Sequence, residues 1–123
     1  MKCFHDDIEE LTLENTYFRK VLFTTEKSQL VLMSLRPGED IGMEHHPVDQ
    51  FFRFEAGKGE ACINGKFYPV TDGSALVIPA GAEHNIINTH KTMPLKMYTV
   101  YSPAHHPAGT VHKTKVDAIK QGD

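Results

Sequence analysis

The chain has 123 residues, of which 40% are hydrophobic and 24% charged, and thirteen Lys and Arg against sixteen Asp and Glu leave a formal charge of -3. A chain of this length buries roughly two-thirds of its surface around one core, so a single folded domain over residues 1–123 is expected and a disordered or collagen-like chain is excluded. There is no basic stripe for nucleic acid, no apolar run near the ~20 residues of a membrane span and no secretory pattern in the polar start, so a cytoplasmic protein is expected.

Short runs rich in β-formers open the chain's regular structure at 16–24 and 28–35, with a polar turn between them and a break at Pro37-Gly38. Further runs follow near 40–46, 50–55, 59–63, 66–70, 75–79, 84–88 and 95–101, each bounded by Gly, Pro, Asn or Asp. Asn64-Gly65 is a strong hairpin signal, because both central residues of the tight turn must take positive φ. Asp72-Gly73 and Pro79-Ala80-Gly81 punctuate the next strands in the same way. No helical period shows before residue 114, and 114–121 reads equally as a short terminal helix or a frayed tail. Eight or nine short strands at this spacing predict an all-β sandwich or barrel. Cys3 and Cys62 make no Cys-x-x-Cys pair and read as reduced thiols.

Eight histidines are many for this length, and their placement carries the chemistry. In Glu44-His45-His46-Pro47-Val48-Asp49-Gln50, strand alternation puts Glu44 and His46 on one face and His45 on the other. Pro47 ends the run, and Gln50 opens the next strand on the face that carries Glu44 and His46. His84 opens a strand directly after the 79–81 turn, and barrel closure would bring it beside the other three. Two imidazoles, one carboxylate and one amide oxygen, without a thiolate, suit a single divalent ion of Mn, Fe, Co, Ni or Zn and disfavour calcium and copper(I).

The spacing of Gly38, Glu44, His46, Gln50 and Gly57 resembles the first cupin motif, with glutamate where the commonest version has its first histidine and glutamine where it has glutamate. Gly73, Pro79, Gly81, His84 and Asn88 match the second motif at every fixed position, so the resemblance spans 38–57 and 73–88. It implies a double-stranded β-helix, the cupin or jelly-roll barrel, with a metal at the inner end of a pocket and commonly a homodimer. The phrase His46-Pro47-Val48-Asp49-Gln50-Phe51-Phe52-Arg53 is similar to a subfamily labelled as related to mannose-6-phosphate isomerase. Cupins thought to act on uronates also carry glutamine at the third ligand position.

Asp49 reads as a solvated turn residue or as an acceptor orienting an imidazole. Arg53 shares parity with Phe51 and Glu55 and is expected outside the barrel, where acidic groups across a dimer interface would pair with it. Phe52, Phe54, Leu76 and Ile78 fill the core or line the pocket. The tail 102–123 carries His105, His106 and His112, expected as exposed loop histidines although the segment could fold over the barrel mouth. The first functional expectation is an enzyme that isomerises or tautomerises a small sugar, sugar acid or sugar phosphate with metal assistance. A non-haem iron dioxygenase and a non-catalytic binding protein for a sugar-like metabolite are the alternatives.

Overall fold

A computed structural model describes residues 1–122. Its regular elements are α1 (Ile8–Glu14), β1 (Arg19–Thr24), β2 (Gln29–Leu35), β3 (Asp49–Ala56), β4 (Lys58–Ile63), β5 (Lys66–Thr71), β6 (Ala75–Ile78), β7 (His84–Asn88), β8 (Leu95–Ser102), β9 (Val111–His112) and α2 (Lys115–Lys120). They form a six-stranded sheet in the order β6-β3-β8-β2-β1-β9 and a three-stranded sheet in the order β5-β4-β7, antiparallel throughout. This is the mostly β architecture that the strand spacing predicts, and it matches the jelly-roll barrel that the cupin resemblance implies.

The inner faces follow from strand alternation. Gln50, Phe52 and Phe54 of β3 are buried, as are Met97, Thr99 and Tyr101 of β8, while Val31, Met33 and Leu35 of β2, with Leu95 and Ile78 of the same sheet, share one core cluster with Ile86 of the three-stranded sheet. Phe52, Phe54 and Ile78 are thus core residues, and Leu76 packs partly buried against the same cluster. Burial of such side chains is the main stabilising term of a barrel this small.

The turns are those the sequence announces. Asn64 has φ 49° and Gly65 φ 80°, so the β4–β5 hairpin closes with Ile63 opposite Lys66. Gly57 has φ 93°, and a Cβ there would run into the Pro94 carbonyl, so the bend between β3 and β4 requires glycine.

Two elements differ from expectation, and a third settles an alternative that the sequence leaves open. The run 40–46 is not a continuous strand: it lies along the outer edge of β7 through two isolated bridges, Asp40 to Ile87 and Glu44 to His84. Pro47 and Gly42 interrupt any longer ladder. A helix, α1, precedes the first strand. Asp7 caps it by accepting from the Glu10 N–H at 3.0 Å, acidic residues fill its first turn, and Lys96 Nζ donates to the Leu13 and Asn15 carbonyls at its end, 2.7 and 2.8 Å. The terminal segment is helical, not frayed, because Thr114 and Asp117 form a reciprocal capping box.

Candidate metal centre

The two motifs meet through the backbone. Glu44 N–H donates to the His84 carbonyl at 2.9 Å and His84 N–H donates to the Glu44 carbonyl at 2.8 Å, so their side chains leave the ladder on the same face. His46 is tied down by its own carbonyl, which accepts from Gly81 N–H at 2.8 Å. Gln50 lies opposite Ile78 on β6 and Tyr101 on β8.

Their side chains converge. Glu44 Oε1 lies 3.1 Å from His46 Nε2 and 3.9 Å from His84 Nε2, and the ligand atoms of this trio all fall within 4.8 Å of one another. The 3.1 Å contact is close but not aligned as a hydrogen bond, since His46 Nε2 remains a buried atom without a hydrogen-bond partner. His84 Nε2 and Gln50 Oε1 are buried and unpartnered as well. Native proteins rarely leave buried polar atoms unsatisfied, because each costs about 1–3 kcal/mol. Two such ring nitrogens beside one carboxylate are a donor set that a divalent cation satisfies.

Hydrogen bonds behind the cluster turn these atoms inward. His84 Nδ1 lies 3.0 Å from the Ala82 carbonyl, which only accepts, so Nδ1 carries the proton and Nε2 keeps its lone pair. Burial holds the His84 pKa below its ordinary value, with the Glu44 carboxylate a weaker opposing influence, and this keeps the ring neutral. Gln50 Nε2 donates to Thr99 Oγ1 at 3.0 Å, which leaves the amide oxygen without a partner. Asp40 fixes the loop that carries Glu44. Its carboxylate accepts from Lys115 Nζ at 2.6 Å and Asn85 Nδ2 at 2.9 Å, while Asn85 Oδ1 accepts from Gly42 N–H at 2.9 Å.

The remaining residues fall as follows. His45 is exposed, on the face opposite His46. Asp49 is exposed and accepts from Ala80 N–H at 2.9 Å, which braces the turn before His84 and leaves the carboxylate out of the cluster. Arg53 pairs with Glu55 on its own strand at 3.2 Å. Asn88, the last position of the second motif, is a structural clamp whose amide donates to the carbonyls of Leu35, Arg36 and Met93.

The tail histidines are the main correction. His106 and His112 are buried, at 7% and 0% exposure, and only His105 is exposed. Gln29 draws the tail in: its Oε1 accepts from the backbone N–H groups of His105 and His106 at 3.2 and 3.0 Å, and its Nε2 donates to the His106 carbonyl at 2.7 Å. The His105 ring then sits 4.0 Å, centroid to centroid, from His46, and the Tyr101 ring 5.8 Å from His46. Tyr101 Oη lies 3.3 Å from His106 Nε2. Tyr101 and Thr99 share inward parity with Met97, and that alternation in 95–101 is the signal that reveals them.

A β-barrel with two imidazoles and a carboxylate converging defines a protein with a site compatible with a metal ion. The chain belongs to the cupin family: the Cupin domain profile matches residues 31–101. It is 48% identical over 130 residues to the uncharacterized protein YrkC of Bacillus subtilis, covering 99% of this chain and 69% of that one. An uncharacterized protein of Acanthamoeba polyphaga mimivirus is 48% identical over 110 residues, 85% of this chain and 68% of its own. The crystal structure of BH2720 from Bacillus halodurans superposes with a TM-score of 0.93 at 43% identity, covering 97% of this chain and 95% of that one.

Proposed function

We propose that Glu44, His46, Gln50 and His84 hold one divalent transition metal ion, and that the protein uses it to bind and isomerise or tautomerise a small sugar, sugar acid or sugar phosphate. The observation that carries this reading is the pair of buried, unpartnered ring nitrogens, His46 Nε2 and His84 Nε2, beside the Glu44 carboxylate, with Gln50 Oε1 also buried and unpartnered. Such an ion, when bound, supplies a Lewis acid that polarises a carbonyl and lowers the barrier to enolisation. Kinship with the subfamily labelled as related to mannose-6-phosphate isomerase and assembly as a homodimer belong to the same proposal, supported by the resemblance of residues 46–53 and of the cupin motifs.

The protein's own groups divide the remaining work. His84 and Gln50 are locked in orientation by Ala82 and Thr99, so they hold without moving protons. Burial and the nearby Arg19 guanidinium push the His106 pKa down to about 3, which makes it a poor proton acceptor at neutral pH. His105, exposed beside His46, is the tail histidine placed to take or return a proton at a ligand carbon. A second reading, a binding protein without turnover, is favoured by the cluster itself: its one carboxylate, Glu44, is a ligand and is therefore not available as a base.

The test is solvent exchange. Metal-reconstituted protein in D2O is incubated with aldose and ketose phosphates and with uronates, and proton NMR follows the carbon beside the carbonyl. Deuterium uptake that requires metal and is lost in His84→Ala supports isomerisation. Metal-dependent binding without uptake selects the binding protein, and no metal-dependent binding of any of these compounds refutes the proposal.

A further inference from the structure

Arg19 opens β1 on its inward-facing side, opposite Met33 of β2 and His112 of β9, and is 2% exposed. A guanidinium is always charged, and a buried charge is sustained only by a compensating partner. Among the described residues no carboxylate lies within ion-pair distance of it. Its hydrogen-bonded partner is the ring of His112, with Nη1 3.1 Å from Nδ1. Because a guanidinium only donates, Nδ1 must accept, so the proton of His112 sits on Nε2 and donates to Gln121 Oε1 at 2.7 Å. This contact orients the guanidinium but does not neutralise it. The Phe18 ring, 5.2 Å from the guanidinium carbon, offers only its π-face. Arg19 Nε is buried and has no hydrogen-bond partner.

The same cation is tied to the metal cluster by a short series of side chains. Its positive charge is felt at His106, whose Nε2 lies 3.3 Å from Tyr101 Oη, and the Tyr101 ring in turn lies 5.8 Å from that of His46. The imidazole and the phenol on this path are joined by a contact of hydrogen-bond length.

We propose that Arg19 is an anion-binding residue of the barrel interior, taking the carboxylate or phosphate group of a ligand whose hydroxyl or carbonyl oxygens approach the Glu44–His46–Gln50–His84 cluster. The Nε–H edge, buried and without a hydrogen-bond partner while His112 holds Nη1, carries the side-on donors that match two anionic oxygens. This makes the ligand an acidic or phosphorylated compound and not a neutral sugar, and in that respect it rests on the metal-chelate reading above.

The chain contains three arginines, Arg19, Arg36 and Arg53, so their side-chain Nε–H resonances separate in a proton–nitrogen spectrum, with Arg19→Gln giving the assignment. Inorganic phosphate, glucuronate and, as neutral control, glucose are titrated at constant ionic strength, with and without added metal. We expect a saturable shift of the Arg19 Nε–H signal with phosphate or glucuronate, none with glucose, and at least tenfold weaker anion binding in Arg19→Gln. The two anions distinguish a phosphorylated from a carboxylated ligand. An Arg19 signal unmoved by either anion to tens of millimolar overturns the proposal, and this wild-type readout decides even where Arg19→Gln does not fold. Metal-dependent sugar binding with a silent Arg19 defeats this inference alone, whereas anion binding at Arg19 in a chain that takes up no metal defeats the metal reading alone.

Discussion

Glu44 and His84 are joined twice through their backbones, at 2.9 and 2.8 Å, so the acidic residue of one cupin motif and the histidine of the other are fixed relative to each other before any side chain packs. The only freedom left to Glu44 is in its own χ angles and in the loop 38–43 that leads to it. That loop is anchored from outside the barrel, where Lys115 of α2 donates to Asp40 and Asp40 accepts from Asn85.

Asp40→Ala should therefore weaken metal binding although Asp40 is no ligand. The Lys115 hydrogen bond, followed by that from Asn85, holds the Asp40 carboxyl below its ordinary pKa, so the anion is present at neutral pH and its loss frees the loop. Partners that orient ligands commonly contribute 10- to 100-fold to affinity, and a rise in Kd of about tenfold is expected by competition with a metal-sensitive dye. Lys115→Met should give a smaller loss in the same direction, because the Asn85 contact survives.

Gln50→Glu should tighten binding. An anionic oxygen would replace the buried, unpartnered amide oxygen that the proposal assigns to the ion, and the Thr99 hydroxyl can turn to donate to the new carboxylate. A fall in Kd of about tenfold or more for Mn, Ni or Zn is expected from calorimetric titration. Weaker binding would show that Gln50 Oε1 does not face the ion.

His106 should make the fold acid-sensitive. Its folded pKa of about 3 lies below the unfolded value near 6.5, so unfolding takes up a proton anywhere between the two. Stability is complete above about pH 6.5 and declines as the pH falls toward 3. Each proton taken up contributes about 1.4 kcal/mol per pH unit to the slope. Urea unfolding free energies measured from pH 7 to pH 4 should fall less steeply in His106→Asn than in the wild type. Equal slopes would mean that His106 is solvated.

What the sequence disclosed follows from the range of the interactions involved. Strand boundaries came from local patterning, and 84–88 is the same in the structure as in the expectation because His84-Asn85-Ile86-Ile87-Asn88 is bounded by a tight turn and a polar loop. Convergence of Glu44, His46 and His84 was legible because period-two alternation and two fixed motifs constrain it. Helix α1 was missed: seven residues carry too little hydrophobic period to announce themselves, although Asp7 ahead of Ile8 was a capping signal. The burial of His106 and His112 was not legible at all. It depends on Gln29 and Arg19, 77 and 93 residues distant along the chain, and nothing local to a Pro- and Gly-rich tail reports such contacts.

The most direct measurement is metal content. Wild-type protein and the His46→Ala, His84→Ala double variant are each equilibrated with Mn, Fe, Co, Ni or Zn, desalted and analysed by elemental mass spectrometry, with circular dichroism to verify folding. About one ion per wild-type chain and none in the folded variant is the predicted result. Equal metal in both proteins, or none retained by the wild type with any of the five ions, would contradict the account.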